Sequence, residues 1–498
     1  MSNMNRRHFL QSAALLAGSA MLYPQIGAGA PPSAARYALA RLGGNLTVQS
    51  VRAVGGTLPA NAVSLLPDNP GSVLELRWDN ITAGSLGAMA WLRLGLISDL
   101  RSAQWLEVTL PGGEFLGRMD LALGCAFEIK QLALPVERVG AVLADGVSVR
   151  LRGEGGPVLF FVPGQNVPPE FCPHLLQPGT LPPRAEFLSR IASRAGLSNY
   201  GWQEGCVLDC LAALAGKAGP GSVFASALAD HLQLVFPPGQ PARAIGTIES
   251  TLCVTQLVRR QPDHPQIAAT LKFWAAHEDE QGGIYDHQEA TAEGNYTVAW
   301  PLAMLARELK RPELEAKAVT QLRLRRNRLV DAEGAIWLRH PNPKSSARTY
   351  RLWSRGVAWY FLGLARTLDA LPSPPEDLIA EVKRVAAFML PLQNERGLWR
   401  VFAAEPATVP ESSGSAGMAA ALAIGARRGW LGEKEKAAAH RALAGLETRL
   451  TLDGFLDGVA PSNKKGEDYQ RNTKGIISQM GMGLLGQLIA EIDSPVGK

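Results

Sequence analysis

Cysteine and charge are both scarce in this chain. Five cysteines, Cys125, Cys172, Cys206, Cys210 and Cys253, are spread over 498 residues, an odd number with no metal-type C-x-x-C spacing, so no metal site is expected. Cys206 and Cys210 stand four apart on a predicted helix and share one face, where they pack rather than bond or bind metal. Only 19% of the residues are charged against 46% apolar, which supports large buried cores. Neither sign dominates: the formal charge of +5 becomes +3 once Arg6 and Arg7 leave with the export signal described below. That balance points neither to nucleic acid nor to a membrane surface, and no cofactor is expected.

A membrane-spanning run is missing too. The start, MSNMNRRHFLQSAALLAGSAMLYPQIGAGA, carries Arg6-Arg7, then Phe9-Leu10, a short apolar run and a small-x-small site at Ala28-Gly29-Ala30. The run is too short and badly flanked for an anchor, and residues 1–30 read as a twin-arginine export signal. The mature chain is expected to begin near Pro31 and to work in the periplasm or outside the cell, with no membrane role beyond export.

What is present falls into two periodicities. Residues 31–165 hold short alternating runs such as SVLELRW, QWLEVTL, CAFEIKQLAL, VSVRLRG and PVLFFVPG, punctuated by Gly, Pro, Asp and Asn. A period of two predicts a β-domain of sandwich or jelly-roll kind, with no catalytic constellation of its own and a role in covering or bordering the second domain, a carbohydrate-binding surface being the alternative. Residues 166–184 are dense in Pro and Gly and read as a linker. From 185 to 498 the period moves to about 3.6. Helices are predicted at 185–196, 202–216, 220–235, 246–260, 264–278, 296–310, 312–329, 353–371, 375–391, 413–428, 432–448 and 475–492. Short turns such as GKAGPG, QPDHP, KRPE, LPSPPE and GWLGEK pair them. Alternating short and long links predict an (α/α)6 toroid in which inner helices run parallel and outer ones return. The expected fold class is thus mainly α with an added β-domain.

If helices starting near 202, 246, 296, 353, 413 and 475 form the inner ring, their N-termini emerge at one end and should converge on one pocket. Those starts carry Trp202 and Glu204, Glu249, Glu293 and Tyr296, Arg351, Trp353 and Arg355, Glu411, and Tyr469 and Arg471. Acids, aromatics and arginines suit a sugar site, and the helix N-termini add a positive field that favours a carboxylate. Arg351 and Arg355, four apart, would present guanidinium forks to a uronate; an internal salt bridge to Glu411 or another acid is the rival. Trp202 and Trp353 would stack on a pyranose, while Trp359 and Tyr360, a turn further in, belong to the core or directly behind the site.

The loop GGIYDHQEATAEGNY packs Asp286, His287, Glu289, Glu293 and Tyr296 into one connection at the predicted active end. Glycoside hydrolysis by the usual route needs one protonated and one ionised carboxyl. Glu293 as acid and Asp286 as base is the expected pair, with Glu204, Glu249 and Glu411 as substitutes. The competing structural roles are a helix cap for Glu293 and a turn for Asp286.

The motifs W353-S-R-G-x-x-W-Y360, L392-Q-x-x-x-G-L-W399 and E411-S-S-G-S415, ending in R428-G-W-L431, make residues 200–430 resemble the unsaturated rhamnogalacturonyl and unsaturated glucuronyl hydrolases, families 105 and 88, and related (α/α)6 glucuronidases. The resemblance implies a catalytic aspartate at the start of an inner helix, where this chain has Asn295 and Tyr296; Glu293 is the nearest replacement. The expected activity is removal of a terminal glucuronyl or unsaturated uronyl unit from an oligosaccharide. A lyase acting on uronate glycans through Tyr296 and His287, and a noncatalytic sugar-binding protein, are the two other readings of the same residues.

Overall fold

The computed structural model describes residues 36–53, 58–79, 81–87, 89–341 and 347–493; the export-signal segment lies outside them. In the N-terminal region side-chain alternation decides the strands. Leu74 and Leu76 of Val73–Arg77 are buried while their neighbours are more exposed, as a strand with one face on a core requires.

Three antiparallel sheets form among the described residues of this region. One orders Tyr37–Leu39, His174–Leu176, Ala90–Gly95 and Ile129–Leu134; the second Arg41–Gly43, Val73–Arg77, Val147–Arg152, Trp105–Thr109 and Phe115–Asp120; the third Val158–Val162, Pro59–Leu65 and Gln49–Arg52. Leu65, Leu74, Leu92, Val108, Val149 and Phe160 bring all three into one apolar core.

Part of the expected linker is built into this region. His174–Leu176 pairs with Tyr37–Leu39 on one side and Ala90–Gly95 on the other, and all three of its residues are buried. Proline density argued for a free connection, but the apolar triplet supplies its hydrogen bonds to a central strand position. Chain tracing into the helices resumes at Pro183–Ile191, where Pro183 sits in the first turn and costs no hydrogen bond.

The helical part closes on itself. Inner positions are held by Trp202–Ala218, the turn Ile248–Thr251 with Val254–Val258, the π-turn Asn295–Ala299 with Trp300–Leu309, then Ser354–Ala370, Ser412–Arg427 and Gln479–Ile492. Each packs on the next, and Gln479–Ile492 packs back on Trp202–Ala218. Val223–Val235, Pro265–Ala276, Pro312–Leu329, Glu376–Met389 and Glu433–Glu447 return outside, and Pro183–Ile191 covers the last inner helix. The inner helix Ser412–Arg427 is buried almost throughout, whereas the outer Pro312–Leu329 is charged on its open face, as the two positions demand.

The third inner element begins as a π-turn for a chemical reason. Pro301 has no N–H to donate to the Thr297 carbonyl four residues back, and that carbonyl instead accepts the Thr251 hydroxyl at 2.7 Å. Opposite it, Gly363 lets helix Ser354–Ala370 approach: a Cβ there would lie 2.3 Å from the Asn295 carbonyl carbon.

The β-region and the helices fall in one compact unit. Buried polar contacts fasten them, including Arg93 to Asp453 at 2.8 Å, the Asn199 amide to Asp99 at 3.1 Å and the Gln479 amide to the Phe127 carbonyl at 2.9 Å. No described helix is long and apolar enough to cross a membrane.

Candidate active site

A cavity of about 300 Å3 opens where the inner helices begin. Trp202 and Gln203, Thr247 and Glu249, Glu293, Trp353, Arg355 and Trp359, and Ser478 and Met480 line it, so five of the six inner starts contribute. The sixth contributes no lining residue: Glu411 caps Ser412–Arg427, accepting the amides of Ser413 and Gly414 and that of Ala460 at 2.8 Å.

Two carboxyls, Glu249 and Glu293, share the cavity. Burial pushes Glu249 up to about 7, and the Glu293 carboxyl adds to the rise while Arg339 opposes it. Burial also raises Glu293, against the pull of Arg339 and Arg355. Oε2 of Glu293 is buried and has no hydrogen-bond partner among the described residues. A buried acceptor left open is costly unless a ligand or water completes it. Together the pair holds a proton up to near neutrality and offers a free lone pair beside it, the requirement for acid and base work.

Two guanidiniums complete the charge balance. Arg355, buried, donates to the carbonyls of Ala460 and Pro461, the latter at 2.8 Å, and lies over the Trp353 ring at 4.6 Å. It makes no ion pair with a carboxylate among the described residues, Glu411 included, and keeps donors to spare. Arg339 comes from the strand Trp337–His340 of a small sheet with Ala290–Thr291 and Thr349–Arg351; its Nε is buried without a partner. Leu352, in a left-handed backbone (φ 51), turns the chain from that sheet into the helix, and Trp353 follows as its cap. The Trp353 indole N–H is buried and unpartnered as well.

Several expected residues lie elsewhere. Asp286 accepts the Ile248 amide at 3.0 Å and does not line the cavity; it fixes the turn that carries Glu249. His287 is exposed at a loop tip with φ 49. Tyr296 is fully buried among the inner helices, donating to Asp209 at 2.8 Å and stacking on Trp359 at 5.6 Å. Glu204 is consumed by the Ser198 amide at 2.7 Å and His231 at 2.8 Å. Arg351 ends a strand instead of sharing a helix face with Arg355, and pairs with Asp331 at 3.0 Å. Tyr469 donates to Asp120 at 3.1 Å, and Arg471 pairs with Glu405 at 2.9 Å, both on the short helix Glu467–Arg471 outside the cavity. Asn295, at the place where the resemblance puts an aspartate, is buried and donates to the Tyr360 carbonyl at 3.1 Å. The acid that reaches the cavity is Glu293, two residues earlier.

Arg339, Lys464 and the β-region residues at the cavity carry no sequence signal of function. Trp359, expected in the core, is 3% exposed yet lines the cavity, meeting Trp202 edge to face at 5.7 Å.

Because Arg339 lowers both carboxyls, replacing it tests the pair directly. In Arg339→Gln, proton affinity rises, so the alkaline limb of the kcat profile, governed by loss of the proton from a group near 7, moves upward by about one pH unit. An unmoved limb in the measured profile rejects the coupling.

A closed ring of helical hairpins with its inner N-termini on one charged pocket defines an (α/α)6 toroid, and solved structures share that fold. A possible member of GH105 family from Salmonella enterica is 17% identical with a TM-score of 0.55, covering 66% of this chain and 98% of its own. A second possible GH105 member, from Klebsiella pneumoniae, is 19% identical at 0.54, over 66% and 97%. A glycosyl hydrolase family 88 protein from Bacteroides vulgatus is 17% identical at 0.50, over 61% and 95%. No curated protein sequence matches. The family model of Glycosyl Hydrolase Family 88 matches residues 192–493, and the chain belongs to that family.

Proposed function

We propose that this glycoside hydrolase removes a terminal uronic acid, glucuronyl or unsaturated uronyl, from an oligosaccharide. The observation that carries the reading is the Glu249–Glu293 pair, with a Glu293 oxygen unpartnered among the described residues, in a cavity where Arg355 makes no ion pair among them. The uronate carboxylate takes the free donors of Arg355, replacing water with a bidentate, charge-assisted contact. Trp202 and Trp353 bound the sugar ring, and the Trp353 N–H finds its acceptor on it.

Glu249, protonated near neutral pH, gives its proton to the glycosidic oxygen, whose bond to the sugar carbon breaks, or to the ring double bond of an unsaturated unit, where the added water gives a hemiketal that opens and releases the attached sugar. Glu293, ionised, takes a proton from the water whose oxygen bonds to the sugar carbon. One water is consumed and each carboxyl ends in the other's initial state, so the pair resets by a single proton exchange. Neither Tyr296 nor His287 lies in the cavity, which favours this route over proton abstraction by those two groups.

The deciding measurement is product analysis on glucuronides and unsaturated uronyl oligosaccharides. Sugar release with loss of the ultraviolet absorbance of the unsaturated unit identifies one substrate, release without an absorbance change the other; a gain in absorbance marks a lyase and rejects the proposal. Arg355→Lys keeps the charge but loses the planar fork. It is expected to raise KM for the uronate by about tenfold, equivalent to ~1.4 kcal/mol, with KM for the methyl ester nearly unchanged. Equal shifts for both would remove Arg355 from carboxylate binding.

A further inference from the structure

We propose that the N-terminal β-region is part of the substrate site and sets its specificity for chain ends. This rests on the cavity being the substrate site. Asp99, Arg101, Leu123, Gly124, Cys125 and Glu128 line the same cavity as Glu249, Glu293 and Arg355. All six lie outside the matched family segment, residues 192–493. The Salmonella structure is covered almost entirely while a third of this chain is left over.

The wall consists of two interlocked turns. Leu100 donates its amide to the Gly124 carbonyl at 2.8 Å, and Phe127 its amide to Leu96 at 2.7 Å. Asp99 takes the Ala126 amide at 3.0 Å and, from the helical part, the Asn199 side chain at 3.1 Å. Leu123 and Phe127 adopt left-handed backbones, φ 51 and 69, conformations that persist only when the surroundings enforce them. A Cβ on Gly124 would sit 2.6 Å from Leu96, so the turn admits no side chain there. The bridge between Ile129 and Ile477 seats the wall against the start of the last inner helix.

Glu128 is bound to Lys130 at 2.5 Å with both side chains buried, and acts electrostatically on Arg355, so the wall faces the cation assigned to the uronate. It is therefore fixed rather than hinged, and the cavity it leaves is small, about 300 Å3, the lower end of ligand pockets. A pocket closed on this side accepts one terminal unit and excludes a chain running through.

The experiment fills the wall from the β side. Cys125→Trp narrows the cavity, with Phe115→Trp, exposed on the β-region away from the cavity, as the control; Arg101→Trp, at an exposed position on the rim beside Asp99, does the same without touching the core. Both of these Trp variants are expected to lose kcat/KM for a terminal uronoside by more than about tenfold, with Tm and the Phe115→Trp control near wild type. Wild-type enzyme on a uronate polymer should release only single end units. Cys125→Trp and Arg101→Trp within twofold of wild type, or internal cleavage by the wild type, overturn the inference. Failure here alone is separable from failure of the proposed function, because Glu293→Gln would still inactivate the enzyme if only the wall were misassigned.

Discussion

Glu293→Gln is expected to lower kcat by ~10²–10⁴-fold, the usual contribution of a positioned acid or base, while leaving KM and Tm almost unchanged. The contrast follows from the site. Oε2 of Glu293 has no partner to lose among the described residues, and the neutral amide removes the like charge that helps raise Glu249. Glu249→Gln should cost turnover on the same scale. Asp286→Asn, which alters the turn at Ile248 outside the cavity and one of the lesser charges acting on Glu249, should cost kcat far less than either. Steady-state kinetics with thermal melts on the three variants decide it, and a Glu293→Gln enzyme keeping more than a tenth of wild-type kcat removes Glu293 from the chemistry.

Asp453→Ala is expected to destabilise the protein by about 3–5 kcal/mol, as when one partner of a buried ion pair is deleted. Asp453 is fully buried and receives Arg93 on both oxygens, at 2.8 and 2.9 Å, the Tyr37 hydroxyl at 3.1 Å and the Thr451 hydroxyl at 2.8 Å. Burial alone would raise its carboxyl, but Arg93 and Arg190 outweigh burial and hold it at about 2. A depressed value means that the stabilisation is complete above the ordinary carboxyl value near 4 and is lost as pH falls from there towards 2. Wild type should therefore unfold more readily across that window, and Asp453→Ala should show a flatter dependence there. Urea unfolding at several pH values reads both; a midpoint equal to wild type at pH 7 would contradict the prediction.

Much of the ring was legible because it obeys one period. The expected inner starts at 202, 353 and 413 fall within one residue of Trp202, Ser354 and Ser412, and convergence of the starts on a pocket followed from parallel packing alone. Which acid does what was less legible. Glu204, Glu411 and Glu249 all stand at helix starts, where a carboxylate caps, pairs or catalyses with the same local sequence. Only tertiary partners separate them: His231 for the first, the Ser413 amide for the second, Glu293 for the third. Arg339 and Cys125 were invisible for a related reason. They reach the cavity from a strand hairpin and from the β-region, through contacts that no period in the sequence encodes. The expected sharing of one helix face by Arg351 and Arg355 failed because strand pairing with Trp337 claimed Arg351 first.

Pro183–Ile191 comes first among the helices of the ring yet lies against Gln479–Ile492, the last. During synthesis the first hairpins have no partner to close on until the final segment is made, so the barrier to folding is set by the most distant pairing in the chain. The same segment brings Ser478 and Met480 to the cavity. A nascent chain or a truncation lacking it has neither a closed ring nor a complete pocket, and activity is expected only once this segment has been made.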